Sequence, residues 1–185
     1  MLIRKARIGD SGDIAVHAML AMEEIVYYFT GKRDWEEGIL FLKYMAEQDS
    51  NQYSWQNCWV VDNRGMIEAV AIVYDGAALA SLRSPVVEEV RRRYNRDIYP
   101  EDETEAGEWY IDCIAVNPAV QGKGTGSLLL QFLIDEYALK SRITLGLLVD
   151  TDNPAARRLY LKLGFKQVGE KTLAGKKMEH LRYFP

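Results

Sequence analysis

One stretch organises the chain, Ile111-Asp112-Cys113-Ile114-Ala115-Val116-Asn117-Pro118-Ala119-Val120-Gln121-Gly122-Lys123-Gly124-Thr125-Gly126-Ser127-Leu128-Leu129-Leu130. Ile111 to Val116 is apolar apart from Asp112, the pattern of a well-buried strand, and Asn117-Pro118 stops it. Gly122, Gly124 and Gly126 then open a helix whose apolar positions run through Leu128, Leu129, Phe132, Leu133 and Tyr137. The first amides of a helix have no internal partner and stand at the positive end of its dipole, so this corner suits an anion, above all a phosphate. Glycine lets that anion approach the backbone with no Cβ in the way. Glycines also precede helices for tight packing alone, and the loop by itself admits both readings.

The spacing excludes two common phosphate loops. Ser127 stands where G-x-G-x-x-G needs its third glycine, and no Gly-Lys-Ser/Thr follows at Walker distance. The pattern that fits is Q/R-x-x-G-x-G/A, as Gln121, Gly124 and Gly126. Downstream comes Asp152-Asn153-Pro154-Ala155-Ala156-Arg157-Arg158-Leu159-Tyr160, closing with Leu163-Gly164-Phe165. In this order and at this separation, the two motifs resemble those of the GNAT (Gcn5-related) N-acetyltransferase family. The resemblance is tight over residues 109–170 and loose before them.

That resemblance implies an α/β fold with a central mixed, mostly antiparallel sheet flanked by helices, its central strands splayed. It implies acetyl-coenzyme A as co-substrate, lying in the wedge between those strands. Ile114, Ala115 and Val116 would hold the pantetheine arm and acetyl carbonyl through backbone groups. Gln121, Gly122, Lys123, Gly124, Thr125 and Gly126 would wrap the pyrophosphate, with Lys123 either adding charge there or standing exposed. Asn153 would touch the cofactor, although helix capping alone also explains it. Tyr160 matches the family tyrosine that reaches the coenzyme sulfur; periodicity alone would make it a core residue.

Composition narrows the setting. The chain of 185 residues is read as a single domain over residues 1–185, with 48% hydrophobic and 27% charged residues, ordinary for a globular protein. No apolar run approaches the ~20 residues of a membrane helix, and the start Met1-Leu2-Ile3-Arg4-Lys5 does not read as a signal peptide. Cys58 and Cys113 sit in apolar strand-like runs and read as buried free thiols in a reducing, cytoplasmic compartment. His17 and His180 are too scattered for a metal cluster, so no metal is expected. A net charge of −4 argues against nucleic acid as a partner. The resemblance implies acetyl-coenzyme A and an amine acceptor, a small molecule or a protein amine, as partners, with the chain a monomer or homodimer.

Along the chain, Leu2 to Ile8 predicts a first strand. Asp10-Ser11-Gly12-Asp13 predicts a turn and cap, Ile14 to Tyr28 a helix, and Asp34 the cap of a second helix. Trp59 to Asp62 and Met66 to Tyr74 predict a hairpin turning at Asn63-Arg64-Gly65. Residues 75–108 form a long connection before the central strand, with a helix expected to start at Pro85. Arg91, Arg92 and Arg93 on it read as a solvated face. Residues 101–107, acidic at Glu101, Asp102, Glu103 and Glu105, read either as a mobile surface loop or as a lid favouring a cationic amine. Ile143 to Val149 predicts a strand, Asn153-Pro154 a capped helix ending at Gly164, and Phe165 to Val168 and Met178 to Phe184 two final strands turning at Ala174-Gly175.

The chemistry implied is attack of an amine on a thioester. A lysine-type amine has a pKa of ~10 and must lose a proton first. A carboxylate can take it, directly or through water. Asp112 is one candidate, a charge inside an apolar strand where burial would raise its pKa. Glu108, at the mouth of the same strand, is the other. Simple alternation puts Glu108, Tyr110 and Asp112 on one face, and a bulge would break that parity. A structural salt bridge for Asp112 and loop solvation for Glu108 are the competing roles. Beside the enzyme reading stands a non-catalytic acyl-coenzyme A sensor or interaction module on the same fold.

Overall fold

The computed structural model describes residues 1–185. Seven strands form one sheet in the order β1-β2-β3-β4-β5-β7-β6. β1 is Leu2–Lys5, β2 Cys58–Asn63, β3 Met66–Asp75, β4 Trp109–Val116, β5 Leu145–Asp150, β6 Lys166–Leu173 and β7 Lys176–Tyr183. Every neighbouring pair is antiparallel except β4 with β5. The mixed, mostly antiparallel sheet flanked by helices is the architecture expected from the two motifs.

Strand alternation sends side chains to two cores. On one face, α1 (Ser11–Thr30), α2 (Trp35–Glu47) and α3 (Leu79–Tyr94) cover Val60, Val70, Ile72, Tyr74 and Tyr110. On the other, α4 (Thr125–Leu133), its π-helical extension Ile134–Lys140 and α5 (Pro154–Lys162) cover Ala69, Ala71, Ile111, Leu147 and Val149.

Several local expectations hold for physical reasons. Asp34 caps α2 through its side chain, which accepts from the Glu37 amide at 3.1 Å. Hairpin turns stand at Asn63-Arg64-Gly65 and Ala174-Gly175. Arg91 and Arg92 on α3 are exposed, while the half-buried Arg93 joins Arg92 in pairing with the buried Glu89. Three expectations need correction. β1 ends at Lys5 because the chain turns tightly at Ile8–Asp10, where the Asp10 carboxylate accepts from the Arg7 amide. α3 begins at Leu79, six residues before Pro85, which sits inside the helix; the Asp75 side chain starts the preceding turn by accepting from the Ala77 amide. Residues 101–107 are no free loop, since Glu103 and Thr104 are buried.

Two features shape the centre of the sheet. β4 pairs with β5 only from Trp109 to Ile111, opposite Leu145 to Leu147. β4 then follows β3 to Val116, while β5 follows β7 to Asp150, so the two part as a wedge. In addition, Ile72 and Val73 face Cys113 and Ile111, which leaves Asp112 as an extra, bulged residue. Tyr110 and Asp112 therefore share a face as alternation predicts, and Cys113 joins that face because of the bulge.

Candidate active site

The wedge opens into a cleft of ≈ 1140 Å³. Its walls are β4 from Tyr110 to Val116, β5 from Leu147 to Asp150 and α1 from Leu20 to Tyr28. Gly122 and Gly126 of the glycine loop, Asn153 and Tyr160 of the α5 region, and the β6–β7 turn at Leu173 and Ala174 complete it. α1 loses helical geometry at Met22 (φ −137°, ψ 31°), on the cleft wall.

The glycine loop ends in a helix start that nothing in the chain caps. Gly124 is the N-cap residue of α4, at φ +89°, a conformation that disfavours a side chain. It offers no side-chain acceptor to the first-turn amides. Gln121 donates its side-chain amide to the Val116 carbonyl at 3.1 Å, tying the loop to the end of β4. Ile114, Ala115, Val116, Gln121, Gly122 and Gly126 line the cleft; Lys123, Gly124 and Thr125 belong to the same turn but do not line it. Lys123 reaches the Ala119 carbonyl at 3.3 Å and is exposed. The start of α5 differs, because Asn153 accepts there from the Ala156 amide at 3.1 Å. Its side chain is engaged in capping even though the residue lines the cleft.

Tyr160 is 8% exposed and packs against Phe165, with ring centroids 6.0 Å apart. It lines the cleft, and burial pushes its hydroxyl up to about 12, with the neighbouring Cys113 adding to the rise. A phenol with so high a pKa keeps its proton and is a donor throughout the physiological range.

Asp112 is the first β4 residue beyond the last one paired with β5, and it lines the cleft. Its carboxylate accepts from the Tyr74 hydroxyl at 2.8 Å, with the Gln52 amide at 3.4 Å. Both groups also reach Glu103, Gln52 at 2.7 Å and Tyr74 at 3.0 Å. Burial, then the charge of Glu103, pushes Asp112 up to about 7. Glu103 is raised as well, by burial, against the lowering pull of Arg83. Arg83 lies 2.9 Å from Glu103 and 2.8 Å from Asp102, and donates to the carbonyls of Pro100 and Glu101. The acidic segment is thus pinned to α3.

The structure puts Glu108 elsewhere. It does not line the cleft, and its side chain is fully buried behind β5. It bonds Thr104 Oγ1 at 2.7 Å, His180 Nε2 at 3.0 Å and Arg182 Nε at 2.6 Å. Burial works to raise this carboxyl, but the bonds to His180, Thr104 and Arg182 outweigh it and hold it below the usual carboxylate range. Gly146 is the β5 residue that makes room, since a Cβ there would collide with the Glu108 carboxylate. Neither loop solvation nor a position beside the acceptor describes Glu108.

Sequence reasoning missed Gln52 and Tyr74, and placed Glu103 in an acidic loop or lid without setting it beside Asp112. Tyr74 stood at the end of an apolar strand run, Gln52 in an irregular stretch, and Glu103 among three other acids with no pattern to single it out.

Comparison with known proteins bears on this geometry. The model of the Acetyltransferase (GNAT) family matches residues 32–165. A solved structure described as an acetyltransferase superposes with a TM-score of 0.81 at 30% identity, covering 100% of this chain and 99% of that one. The [ribosomal protein bS18]-alanine N-acetyltransferase of Salmonella typhimurium is 46% identical over 54 residues, 29% of this chain and 36% of that relative. N-alpha-acetyltransferase RimI of Mycobacterium tuberculosis is 44% identical over 62 residues, 34% of this chain and 37% of that relative. The similarity thus spans little more than a third of the length of either curated relative.

Proposed function

This chain is a member of the acetyltransferase (GNAT) family, and from that premise we propose that it transfers the acetyl group of acetyl-coenzyme A to a primary amine. The observation that carries the reading is the position of Asp112, a carboxylate set where β4 leaves β5 and the cleft begins. Acetyl-coenzyme A lies along the wedge, its pantetheine arm against the β4 backbone at Ile114 to Val116. Beyond Ile111 those main-chain groups have no β5 partner, and an unpaired backbone group is a ready site for a ligand. The pyrophosphate sits on the uncapped start of α4, where the amides of Thr125 and Gly126 have no side-chain acceptor of their own.

The acceptor arrives as an ammonium ion. One of its protons passes to the ionised Asp112 carboxylate, directly or through water. The freed nitrogen lone pair attacks the thioester carbon, the C–N bond forms and the C–S bond breaks. Tyr160 donates its hydroxyl proton to the departing sulfur and regains one from the acylated nitrogen. The products are an N-acetyl amine and free coenzyme A, and Asp112 returns its proton to solvent. One curated relative is named for the alanine of a ribosomal protein and the other as an N-alpha-acetyltransferase, which makes peptide amino termini the first acceptors to test.

Thiol release from acetyl-coenzyme A across a panel of peptide amino termini, polyamines and small amines tests the reading. At least one acceptor should release thiol stoichiometrically with its acetylation. Gly124→Asp, which sets a carboxylate at the α4 start, should abolish coenzyme binding by calorimetry and turnover with it. Tight coenzyme binding with no turnover of any amine would instead make the chain a non-catalytic acyl-coenzyme A sensor.

A further inference from the structure

Asp112 is enclosed from several sides. β3 contributes Tyr74, the segment before β2 contributes Gln52 and Tyr53, and α3 contributes Arg83. Its own strand adds Tyr110 and Cys113, whose burial keeps both protonated. A small second cavity joins this cluster to α1 at Met22 and Ile25, which are apolar, and to the β6–β7 turn at Leu173 and Ala174. Glu101 also lines this cavity, its carboxylate accepting from the Ala174 amide at 3.1 Å, and the charges that bear on Asp112 itself are those of Glu103 and Arg83. Of Asp112 and Glu103, only Glu103 is bonded by the cation.

We propose that Glu103, carried on the connection between α3 and β4, is the positioning residue that keeps Asp112 able to accept a proton from the acceptor amine. The Tyr74 hydroxyl and the Gln52 amide lie within reach of both carboxylates, at 2.7–3.4 Å, and so bind them into one unit. Two carboxylates held this close do not ionise independently; the first proton leaves easily and the second is retained. Arg83 fixes which one is ionised first, because it bonds Glu103. The retained proton belongs to Asp112, the member that lines the cleft. When it has left, Asp112 is a base strong enough to take a proton from an ammonium ion arriving in the same cleft. Without Glu103, burial alone would raise it, and Asp112 would be the weaker base.

This rests on the acetyl-transfer reading, and the test keeps the two apart by using a readout that needs no turnover. The Asp112 carboxyl is followed by carbon-13 NMR titration in the wild type, in Glu103→Gln and in Arg83→Gln, with Asp112→Asn identifying the resonance. Glu103→Gln should raise the acid dissociation constant of Asp112 by tenfold or more. Arg83→Gln should move it the opposite way, so a misfolded variant on one side leaves the other to decide. On any amine turned over, Glu103→Gln should shift the acid limb of kcat/KM to lower pH by the same factor, leaving KM for the coenzyme unchanged. An Asp112 titration that moves less than twofold in both variants overturns the coupling, whatever the amine panel shows. A panel with no turnover but a shifted titration overturns acetyl transfer and leaves the coupling standing.

Discussion

Glu108, just before β4, and Asp112, within it, stand four residues apart, the first buried and the second half-buried at the cleft wall. Glu108 is met by Thr104, His180 and Arg182 and is held ionised. Asp112 is met by a hydroxyl and an amide, with a second carboxylate beside it and the nearest guanidinium bonded to that neighbour. Burial raises both carboxyls, and the partners decide the outcome. Desolvation alone therefore does not keep a carboxyl raised; withholding the cation does. The two sites also divide the strand by role. Just before β4 zips to β5, the Glu108 carboxylate is neutralised by groups of β7; one residue past the zip, the Asp112 carboxylate is left without a cation of its own.

The pair of substitutions Asp112→Asn and Glu108→Gln should break this contrast in opposite ways. Asp112→Asn removes the base, so turnover per folded molecule should fall by ~10²–10⁴-fold. Its folded pKa lies above the unfolded value, so the proton on Asp112 stabilises the fold at low pH, and that stability is lost as pH rises from about 4 through about 7. The variant should therefore melt above the wild type at pH 8 and close to it at pH 4. Glu108 has a depressed folded pKa, so its contribution is present above the unfolded value and disappears on acidification. Glu108→Gln takes the carboxylate from the buried His180 and from the half-buried Arg182, which keeps Glu105, and should cost on the order of 2 kcal/mol at pH 8. Turnover per folded molecule should stay within about twofold of wild type. Melting curves and thiol release at both pH values check all four outcomes.

Tyr160→Phe sharpens the contrast on the other side of the cleft. It keeps the ring against Phe165 and removes only the hydroxyl. If that hydroxyl donates to the leaving sulfur, turnover should drop by roughly ten- to a thousandfold, ~2–4 kcal/mol of transition-state stabilisation. Coenzyme affinity measured by calorimetry should hardly change. Normal turnover with a lowered Tm would leave Tyr160 as a core residue.

The parts of the site built from local grammar were legible in the sequence. Gly124 at a left-handed helix start, Asn153-Pro154 as cap and first turn, and the buried strand through Asp112 each follow from neighbours in the chain. The environment of Asp112 does not, since its partners come from residues 52, 74, 83 and 103, brought together only by the packing of α3 and its following connection on the sheet. Glu108 shows the same limit. It reads as the edge of an acidic loop, and only the register of β5 with β7 sets Gly146 beneath it and His180 and Arg182 beside it. Pro85 misled for a related reason, because a proline start signal is local and α3 is held instead by apolar contacts of Leu79, Val86 and Val90.

The pH dependence of kcat/KM for the wild type, with a saturable amine acceptor from pH 5 to 10, tests the central assignment most directly. An amine that arrives protonated and yields its proton to Asp112 gives an acid limb of unit slope near pH 7, set by the free protein rather than by the acceptor. The limb should persist in Glu108→Gln and stay in place when the acceptor is exchanged for one of different basicity. A profile that climbs steadily to pH 9–10 and tracks the acceptor's own pKa would mean that the amine enters already neutral, and Asp112 would have no part in the proton transfer.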